Sequence, residues 1–474
     1  MVMGEFTQET DLLVIGGGPG GYAAAFRAAD LGLDVTLVEM APEPGGVCLY
    51  TGCIPSKTLL YVTELMHDAR RSSGMGITFE EPKIDLGMLR AWKNTVIGKL
   101  AKGLSGLVQR RGILYIRGKA TFEDSNHARV QNGASSHIRF KHAIIATGSR
   151  PRPLAGVAGK AGGRIMDSTG ALELTDIPKR LLVVGGGFVG LELGSVYASL
   201  GSKVSLIEGN GQFMHGIDSD LSRPVLDRLK ELFDSFHYNT QIESIQEDES
   251  GVDVTFQGDI PSKSQRFDRV LVSIGRLPNS EGIGLENTGV KTDEQGFILT
   301  DRQRRTSDEK IFAIGDVTDG AMLAHKAMHE GKVAAEAIAG MASFFDFQTI
   351  PAVLYTDPQI AVCGLSEEAA KKRGIKIKVS RFPWAASGRA VSMGVSAGMT
   401  KMIIDPDTQR VLGVGIVGRD AGEMIAEGVL AIEMGALAED VSLSIHPHPT
   451  LSEAEEEAAG AFLGSSTHIL PQKK

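Results

Sequence analysis

Two of the three cysteines in the chain lie five positions apart. Cys48 and Cys53 are separated by Leu-Tyr-Thr-Gly and stand at the entry to Ser56–Ala69, a stretch that predicts a helix. A helix N-terminus stabilises a thiolate, and a neighbouring thiol permits reversible disulfide formation. The spacing is too wide for a thioredoxin-type CxxC motif, and the surrounding residues offer too few ligands for zinc. The pair therefore predicts thiol redox chemistry; two unrelated buried cysteines are the alternative.

A second reactive segment runs from His448 to Glu453 near the other end of the sequence. An imidazole moves protons near neutral pH, and a carboxylate can orient it. These two residue types supply what thiol exchange still needs, a proton acceptor and its partner. A histidine with only a structural role is the alternative interpretation.

The elements that must position these groups include a strand, a glycine turn and a helix in direct succession. Asp11–Ile15 reads as a buried strand, Gly16–Gly21 as the turn and Tyr22–Leu31 as the helix. A second strand, Asp34–Val38, ends at Glu39. This order is typical of a dinucleotide-binding fold.

Each marked residue of this first fingerprint has a separate physical task. Gly16 permits the tight turn, Gly18 lets the backbone approach a pyrophosphate, and Gly21 allows close helix–strand packing. The helix N-terminus faces the anion. Glu39 is then placed to accept hydrogen bonds from ribose hydroxyls.

The same arrangement returns later in the chain. Strand Leu181–Val184 leads into a second fingerprint, and strand Lys203–Ile207 ends at Glu208. The glycines of the second fingerprint are Gly185, Gly187 and Gly190. Both copies place the acid 23 positions after the first glycine, from 16 to 39 and from 185 to 208. Two glycine-rich turns of a single α/β core would not explain the matching acids, so we predict two dinucleotide sites.

The acid of the second copy also bears on the choice between nicotinamide cofactors. A carboxylate at Glu208 suits free ribose hydroxyls and repels a 2′-phosphate. Gly209 and Asn210, which follow it, provide no arginine for such a phosphate. NAD is therefore predicted rather than NADP.

Composition excludes several classes of protein. The chain has 474 residues, of which 42% are hydrophobic and 23% charged, as in ordinary globular proteins. Lys and Arg number 49 against 58 Asp and Glu, a net charge of −9, so nucleic acid is not expected as a partner. A basic cluster, Arg302, Arg304 and Arg305, is expected to be a solvated face.

Location is predicted from what the sequence lacks. It shows no apolar run of membrane-spanning length and no secretory or mitochondrial signal at its beginning. Three cysteines are too few for a secreted disulfide framework, and Cys363 lies in an apolar run that predicts a buried side chain. We expect a cytoplasmic protein with no membrane partner and no bound metal.

Taken together, these motifs resemble the pyridine nucleotide-disulfide oxidoreductases, a family of flavoproteins, and within it the branch that oxidises dihydrolipoyl groups. The segment Gly45–Lys57 (GGVCLYTGCIPSK) resembles their redox-active segment, except at Tyr50-Thr51, where Asn-Val is usual. Further matching motifs run along nearly the whole chain: ATGSRP at Ala146, IGRLPN at Ile274, IFAIGD at Ile311, MLAHK at Met322, YTDP at Tyr355, FPWAASGRA at Phe382 and HPTLSE at His448.

The resemblance assigns cofactors to the two fingerprints. It implies that the first dinucleotide is FAD and the second NAD. The residues implied for FAD are Gly16, Gly18, Gly21, Glu39, Lys57, Ala120, Gly148, Asp316 and Ala324. Those implied for NAD are Gly185, Gly187, Gly190, Glu208 and Gly275. Lys57 and Glu192 match a family ion pair beside the flavin, for which ordinary surface charges are the alternative.

The resemblance also implies an activity and its partners. Cys48 and Cys53 would form a redox disulfide, with His448 as the catalytic base and Glu453 as its partner. The reaction would convert protein-bound dihydrolipoyl groups to lipoyl and NAD⁺ to NADH. A homodimer is implied, since in the family the His448 segment reaches the active site of the other subunit. Lipoyl domains and the acyltransferase core of 2-oxoacid dehydrogenase complexes, or a glycine cleavage complex, would be the partners.

Two other functions stay open. A reductase of glutathione-like disulfides is disfavoured by Glu208, and a silent flavin-fold subunit is disfavoured by the intact reactive residues.

The expected fold is α/β, with two Rossmann-like dinucleotide-binding domains and a C-terminal α+β dimerisation domain. The expected boundaries are 1–150 for the FAD-binding domain, 151–280 for the NAD-binding domain, 281–350 for a central domain completing the FAD site and 351–474 for the interface domain, with Arg150–Gly163 as a Pro/Gly-rich crossover.

Overall fold

A computed structural model describes residues 7–131, 135–154 and 163–470, and the chain folds as two compact units. Unit 1 comprises Met1–Thr58, Asp85–Arg152 and Gly275–Asp346; unit 2 comprises Leu59–Ile84, Pro153–Ile274 and Phe347–Lys474. Both units are discontinuous in sequence. The bounds of the four expected domains remain predictions, and most of the expected crossover, residues 155–162, lies outside the described residues.

The strands are short and numerous, as a fold with several sheets requires. In chain order they are β1 (Thr7–Ile15), β2 (Val35–Glu39), β3 (Leu114–Arg117), β4 (Lys119–Phe122), β5 (His127–Gln131), β6 (Ser135–Ile145), β7 (Ser149–Pro151), β8 (Ile165–Met166), β9 (Arg180–Val184), β10 (Lys203–Ile207), β11 (Ser235–His237), β12 (Thr240–Glu247), β13 (Val252–Gly258), β14 (Ser264–Phe267), β15 (Arg269–Val272), β16 (Arg276–Pro278), β17 (Ile311–Ala313), β18 (Ala352–Leu354), β19 (Gln359–Gly364), β20 (Lys378–Pro383), β21 (Met399–Ile404) and β22 (Val411–Gly418).

The helices lie between groups of these strands and after the last of them. In chain order they are α1 (Pro19–Asp30), α2 (Gly46–Thr51), α3 (Cys53–Arg71), α4 (Leu86–Arg110), α5 (Ser168–Glu173), α6 (Phe188–Ser199), α7 (Ser219–Leu232), α8 (Ala324–Ile338), α9 (Glu367–Arg373), α10 (Gly388–Ser392), α11 (Ala421–Glu433), α12 (Ala438–Leu443) and α13 (Glu453–Leu463).

Unit 1 is built on a seven-stranded sheet in the order β3-β2-β1-β6-β5-β4, with β17 also paired to β6. Strand β1 runs parallel to β2 and β6, and its central residues Leu12, Leu13 and Val14 are fully buried. Continuous apolar runs are expected of parallel strands that are covered on both faces. Because Ile15 is in register with Val38, the turn after β1 lies beside Glu39.

Unit 2 repeats this parallel arrangement in a five-stranded sheet, β11-β10-β9-β15-β8. Val184 at the end of β9 is in register with Ile207 at the end of β10, so the second fingerprint lies beside Glu208. The rest of unit 2 includes a three-stranded antiparallel sheet, β12-β13-β14, and a five-stranded antiparallel sheet, β18-β19-β22-β21-β20. Trp384, which is fully buried, lies in the hydrophobic core of the last sheet.

The predicted elements around both fingerprints are confirmed, with small shifts at their ends. Helix α1 begins at Pro19, earlier than predicted, because proline is well accommodated in the first turn of a helix. Helix α3 begins at Cys53 rather than Ser56, and the short helix α2 before it was not predicted. Cys363 is buried in β19, as expected.

Among the residues that the structure describes, no helix combines the length and the apolar character that a membrane crossing requires.

Candidate active site

The first fingerprint forms a tight turn between β1 and α1. Gly16 has a φ of +105°, and a Cβ added there would lie 2.3 Å from the carbonyl oxygen of Ala146. A Cβ on Gly21 would lie 1.8 Å from the carbonyl oxygen of Gly16. Both positions therefore require glycine for the reasons that the sequence predicted.

Gly18 leaves the start of α1 accessible. It is the N-cap of this helix and makes no side-chain capping bond. The nearest atom to an added Cβ is the Cα of Gly46, at 3.9 Å. The first backbone N–H groups of α1 and its dipole suit a diphosphate at this position. The turn therefore fits the pyrophosphate of a dinucleotide.

The second fingerprint has the same geometry in unit 2. Gly185 has a φ of +103°, and an added Cβ would lie 2.5 Å from the carbonyl oxygen of Ser273. A Cβ on Gly190 would lie 2.2 Å from the carbonyl oxygen of Gly185, whereas Gly187 has nothing within 4 Å of that position. Helix α6 likewise has no side-chain cap, so this turn fits a second dinucleotide.

The two acids are held alike by the fingerprints they accompany. Glu39 Oε2 accepts a hydrogen bond from the Gly17 N–H at 2.6 Å, and Glu208 Oε2 accepts one from the Gly186 N–H at 2.8 Å. The Oε1 of Glu208 accepts from the backbone and side-chain nitrogens of Asn210, both at 3.0 Å. A carboxylate has about four acceptor positions, which leaves capacity for ribose hydroxyls.

The two cysteines lie together where α2 gives way to α3. Cys48 is half-buried in α2, and Cys53 is the exposed first residue of α3. A hydrogen bond with the Cys53 side chain, followed by burial, raises the pKa of the Cys48 thiol, and the Lys57 ammonium opposes that rise. Burial, followed by the two cysteines, raises the pKa of Tyr22 to about 12. The thiols are thus neighbours in the unit that holds the first fingerprint.

A close backbone contact joins this redox segment to the first fingerprint. Gly46 begins α2 with a φ of +59°, and a Cβ added there would lie 2.5 Å from the Cα of Gly18. The N–H of Gly45 donates to the carbonyl oxygen of Gly17 at 2.8 Å. The Gly45-Gly46 pair was not among the predicted site residues, although two adjacent glycines before a reactive cysteine signal such an approach.

The other residues predicted for FAD also lie in unit 1. They are Ala120, buried in β4; Gly148, after β6; Asp316, in a short 3-10 turn; and Ala324, the first residue of α8. Lys57 belongs to unit 1 as well, near Cys48.

Hydrogen bonds bring three of the sequence motifs together around Asp316. The Ser149 hydroxyl donates to Asp316 Oδ2 at 2.6 Å and accepts from Arg276 Nε at 2.6 Å. These residues come from the ATGSRP, IGRLPN and IFAIGD motifs. Ser149 was not among the predicted site residues, and its 3% exposure together with two polar contacts marks it as part of the support of Asp316.

Two predicted residues remain: Glu192, expected to pair with Lys57 beside the flavin, and Gly275, expected to contact NAD. Glu192 lies on α6, is 5% exposed and accepts a hydrogen bond from the Tyr355 N–H at 3.0 Å. Gly275, with a φ of +109°, begins the third segment of unit 1. The pairing of Glu192 with Lys57 remains a prediction.

His448 and Glu453 form a hydrogen-bonded pair at the start of α13. His448 Nδ1 lies 2.7 Å from Glu453 Oε1, and Glu453 Oε2 accepts the Thr450 N–H at 2.6 Å. Partial burial of Glu453 opposes its ionisation, but the Thr450 N–H and His448 lower its pKa below the ordinary value. A carboxylate at Nδ1 favours the tautomer protonated there, which leaves Nε2 to accept a proton. The His448 side chain is 71% exposed.

His446 supports the same segment. Its Nε2 lies 2.8 Å from Glu427 Oε1, and its Nδ1 lies 2.8 Å from the carbonyl oxygen of Ser444. Burial opposes ionisation of the ring, but Glu427 and Ser444 raise its pKa above the ordinary value. Its side chain is nearly buried, unlike that of His448. His446 therefore has the environment of an anchoring histidine.

Three carboxylates in unit 2 converge in a way that could suggest a cation site. Asp218, Asp220 and Glu367 have oxygens within 4.8 Å of one another. The ammonium of Lys401 lies 2.7, 2.7 and 2.9 Å from them and is almost fully buried. Because an ammonium already balances these charges, the cluster is an ion-pair network. The expectation of no metal stays a prediction.

Comparison with known families identifies the family of the chain. Residues 10–331 match the family described as pyridine nucleotide-disulphide oxidoreductase, and residues 350–459 match the dimerisation domain of that family. The chain belongs to this family. The predicted family membership and fold class are thereby confirmed.

Relatives in the family are similar over almost their entire length. A dihydrolipoyl dehydrogenase of Vibrio parahaemolyticus is 46% identical, with 98% of each chain covered. Another, of Geobacillus stearothermophilus, is 45% identical over 99% of this chain and 100% of its own. Among solved structures, LpdA from Mycobacterium tuberculosis has a TM-score of 0.88 at 25% identity, covering 95% of this chain and 99% of that one. RclA, an HOCl-induced flavoprotein disulfide reductase from Escherichia coli, has a TM-score of 0.84 at 27% identity and the same coverage.

Family membership makes the chain a flavoprotein disulfide oxidoreductase, whose cofactors are FAD and NAD. The predicted enzyme class and the predicted cofactors are thereby confirmed. The roles of the individual site residues are proposals that rest on the geometry described above.

One buried carboxylate beside the predicted FAD residues was missed. Glu330 on α8 is fully buried, and its Oε2 accepts the Gly315 N–H at 2.7 Å. Its Oε1 lies 2.9 Å from both Arg304 Nη1 and Lys326 Nζ. Glu330 thus fixes the turn that presents Asp316. The signal in the sequence is an acid four positions after a lysine on the apolar face of a helix.

The expectation of a solvated arginine cluster is wrong for Arg304. This residue is 9% exposed, has a φ of +67° and lies over the Phe345 ring at 4.8 Å as well as against Glu330. Arg302 pairs with Asp346 at the surface, in line with the expectation. A buried carboxylate that is distant in sequence overrides the usual exposure of an arginine.

We expect Glu330→Gln to destabilise the protein strongly. The substitution preserves shape but leaves the buried Arg304 and Lys326 without their anion, a change that costs about 3–5 kcal/mol. Equilibrium urea unfolding followed by circular dichroism measures the loss. Glu336→Gln is the matched control on the same helix, since its partly exposed pair with Arg27 is worth about 1 kcal/mol or less. Equal losses in the two variants would contradict this account of Glu330.

Proposed function

We propose that this protein oxidises protein-bound dihydrolipoyl groups to lipoyl groups and reduces NAD⁺ to NADH. The observation that carries the proposal is the contact of the Cys48 and Cys53 side chains at the head of α3, in the unit whose first fingerprint touches the same segment. Dihydrolipoyl dehydrogenases are also the relatives that match the chain over nearly its full length.

The residues of the chain support the sulfur steps directly. Nε2 of His448 takes a proton from one dihydrolipoyl thiol, and the thiolate attacks the Cys48 sulfur of the Cys48–Cys53 disulfide. A substrate–Cys48 disulfide forms, and Cys53 leaves as a thiolate. The second substrate thiol loses its proton to solvent and attacks the substrate sulfur of that mixed disulfide as a thiolate, which closes the lipoyl ring. Cys48 leaves and takes the proton held by His448, while Cys53 stays a thiolate. The substrate loses two electrons and the cysteine pair gains them.

Two cofactor sites would complete the transfer of electrons from the substrate. FAD would be held by the first fingerprint, Glu39 and the turn at Asp316, and NAD by the second fingerprint and Glu208. Bound there, FAD would supply the two-electron redox chemistry that links the cysteine pair to the reduction of NAD⁺. The protein contributes the open helix N-termini and the two ribose-binding carboxylates.

A homodimer is the assembly that we propose. Its support is the match of residues 350–459 to the dimerisation domain of the family and the high exposure of the His448 side chain in one chain. In this arrangement His448 of the partner subunit serves the cysteines of each chain. We further propose lipoyl domains and the acyltransferase core of a 2-oxoacid dehydrogenase complex as partners. The cytoplasmic location and the absence of nucleic-acid partners remain predictions of the sequence.

Steady-state assays that cross two substrates with two cofactors test the function. The full-length protein is expected to bind FAD, to oxidise dihydrolipoamide with NAD⁺, and to react poorly with glutathione disulfide or with the phosphorylated cofactor. A preference for glutathione disulfide and NADPH would favour the glutathione-like alternative. Flavin that stays oxidised on addition of dihydrolipoamide would favour a silent subunit.

We expect Glu208→Gln to weaken the preference for NAD⁺. The amide retains an oxygen for the Gly186 N–H but removes the charge that repels a 2′-phosphate, so the ratio of kcat/KM for NAD⁺ over NADP⁺ should fall about tenfold. Parallel assays with the two cofactors measure this ratio. Glu243→Gln, an exposed substitution on β12, is the control. An unchanged ratio in Glu208→Gln would show that the acid does not select the cofactor.

A further inference from the structure

Tyr50 ties the helix that carries Cys48 to the segment before it. Its hydroxyl donates to the carbonyl oxygens of Glu43 at 3.1 Å and Pro44 at 3.4 Å. Burial, followed by the charges of Glu43 and Glu39, raises the pKa of Tyr50, so the phenol stays a donor at neutral pH. These hydrogen bonds join α2 to the residues that lie between Glu39 and α2 in the chain.

The ring of Tyr50 is fixed independently of its hydroxyl. It packs against a small core in which Leu49 of α2 meets Ile97 and Ala101 of α4. A phenylalanine would retain this apolar packing. The hydroxyl can therefore be removed without emptying the space that the ring fills.

The segment 40–45 that receives these bonds is itself anchored. Glu39 Oε1 accepts the Ala41 N–H at 3.1 Å, and the Tyr115 hydroxyl donates to the Ala41 carbonyl oxygen at 2.9 Å. At the other end, the N–H of Gly45 donates to the carbonyl oxygen of Gly17. A bond to this segment therefore holds α2 against a fixed support.

We propose that Tyr50 is a positioning residue for the redox pair, an inference that rests on the proposed function. Its hydroxyl keeps α2 against the anchored segment 40–45, so the Cys48 sulfur stays within reach of Cys53 when the disulfide is open. Preorganised groups react with less loss of conformational freedom. The disulfide itself fixes α2, so the tether matters most in the dithiol state.

The test is the equilibrium for closing the disulfide in the full-length protein. In this reaction the Cys48–Cys53 dithiol is oxidised and one glutathione disulfide is reduced to two thiols, and alkylation with mass analysis counts the open and closed forms. We expect Tyr50→Phe to lower the equilibrium constant about three- to tenfold, as the loss of one hydrogen bond shared by two acceptors implies. Tyr61→Phe on α3, where the tyrosine is 59% exposed, should leave it within about twofold.

Three outcomes separate the interpretations. Equal equilibrium constants for disulfide closure in Tyr50→Phe and Tyr61→Phe overturn the positioning role. A lower midpoint of thermal unfolding in Tyr50→Phe, with an unchanged equilibrium constant, also overturns it. Tyr50→Met, which also lacks the hydroxyl, should reproduce the shift if the phenylalanine variant folds poorly. A wild-type protein that forms no Cys48–Cys53 disulfide overturns the proposed function itself.

Discussion

Cys53→Ser is expected to abolish oxidation of dihydrolipoamide by NAD⁺, with a fall in kcat on the order of 10⁴ or more. The reason is that serine cannot form the disulfide that accepts the substrate's electrons, and the loss of a covalent participant is not compensated by binding. Cys48→Ser should have the same effect, since substrate thiolate attacks that sulfur. Steady-state assays at saturating substrate measure both variants.

Cys363→Ala provides the matched control. The third cysteine is buried in β19, where burial raises the pKa of its thiol to about 12. Its replacement should leave turnover unchanged. Thiol titration in denaturant should find one thiol in the oxidised wild-type chain and three after reduction, because only the Cys48–Cys53 pair is redox-active. Substantial dihydrolipoamide oxidation by Cys53→Ser, or three thiols before reduction, would refute the disulfide mechanism.

The parts of the site that the sequence predicts well are those that local geometry determines. Gly16 and Gly185 must adopt positive φ within a few residues of the strands they follow, and no side chain fits there. In each unit, the parallel register of two strands carries the acid to the edge of its own sheet where the fingerprint lies. Spacing along the chain is therefore enough to place fingerprint and acid together.

The parts that the sequence does not predict depend on contacts between distant segments. Arg304 is read as a surface charge because its neighbours are charged, whereas Glu330, 26 positions away, buries it. Ser149 and Asp316 meet across a still longer separation. No periodicity encodes such a pairing, since it arises only when segments distant in sequence pack against one another.

Helix α2 illustrates an intermediate case. The five-position spacing of Cys48 and Cys53 is recognisable in the sequence. The helix α2 that carries Cys48 has only six residues, and so short a segment has too little intrinsic stability to be predicted from helix propensity. Its surroundings include the Gly18–Gly46 approach and the packing of Tyr50 against Ile97 and Ala101 of α4, both of which are tertiary contacts. The chemistry was therefore predictable where its supporting geometry was not.

His448→Gln is expected to lower kcat/KM for dihydrolipoamide by about 10²–10⁴, the usual contribution of a positioned acid–base group. Glutamine cannot take up the thiol proton, so formation of the attacking thiolate is lost. Glu453→Gln should cost less, about tenfold, since the imidazole remains but its Nδ1 partner loses its charge. Reduction of ferricyanide by NADH, which bypasses the thiols, should persist in both variants.

His468→Gln is the control for the packing of this region. Its Nδ1 lies 2.5 Å from Glu457 Oε1, so it forms a second histidine–glutamate pair on α13. Its activity should stay within about twofold of wild type. If His468→Gln lost as much activity as His448→Gln, the effect would reflect disruption of the segment rather than proton transfer.

Mixed dimers then decide whether the base acts across the dimer. Consider a dimer of one Cys53→Ser chain and one His448→Gln chain. If His448 of the partner subunit serves each cysteine pair, one of its two sites has both an intact cysteine pair and an intact histidine. Such a dimer should show about half of wild-type activity, because the two-fold axis makes one site complete and the other doubly defective. If both residues acted within one chain, each site would carry a single defect and the mixed dimer would be inactive. Recovery of activity on co-expression of two inactive chains is therefore the result that our assignment requires.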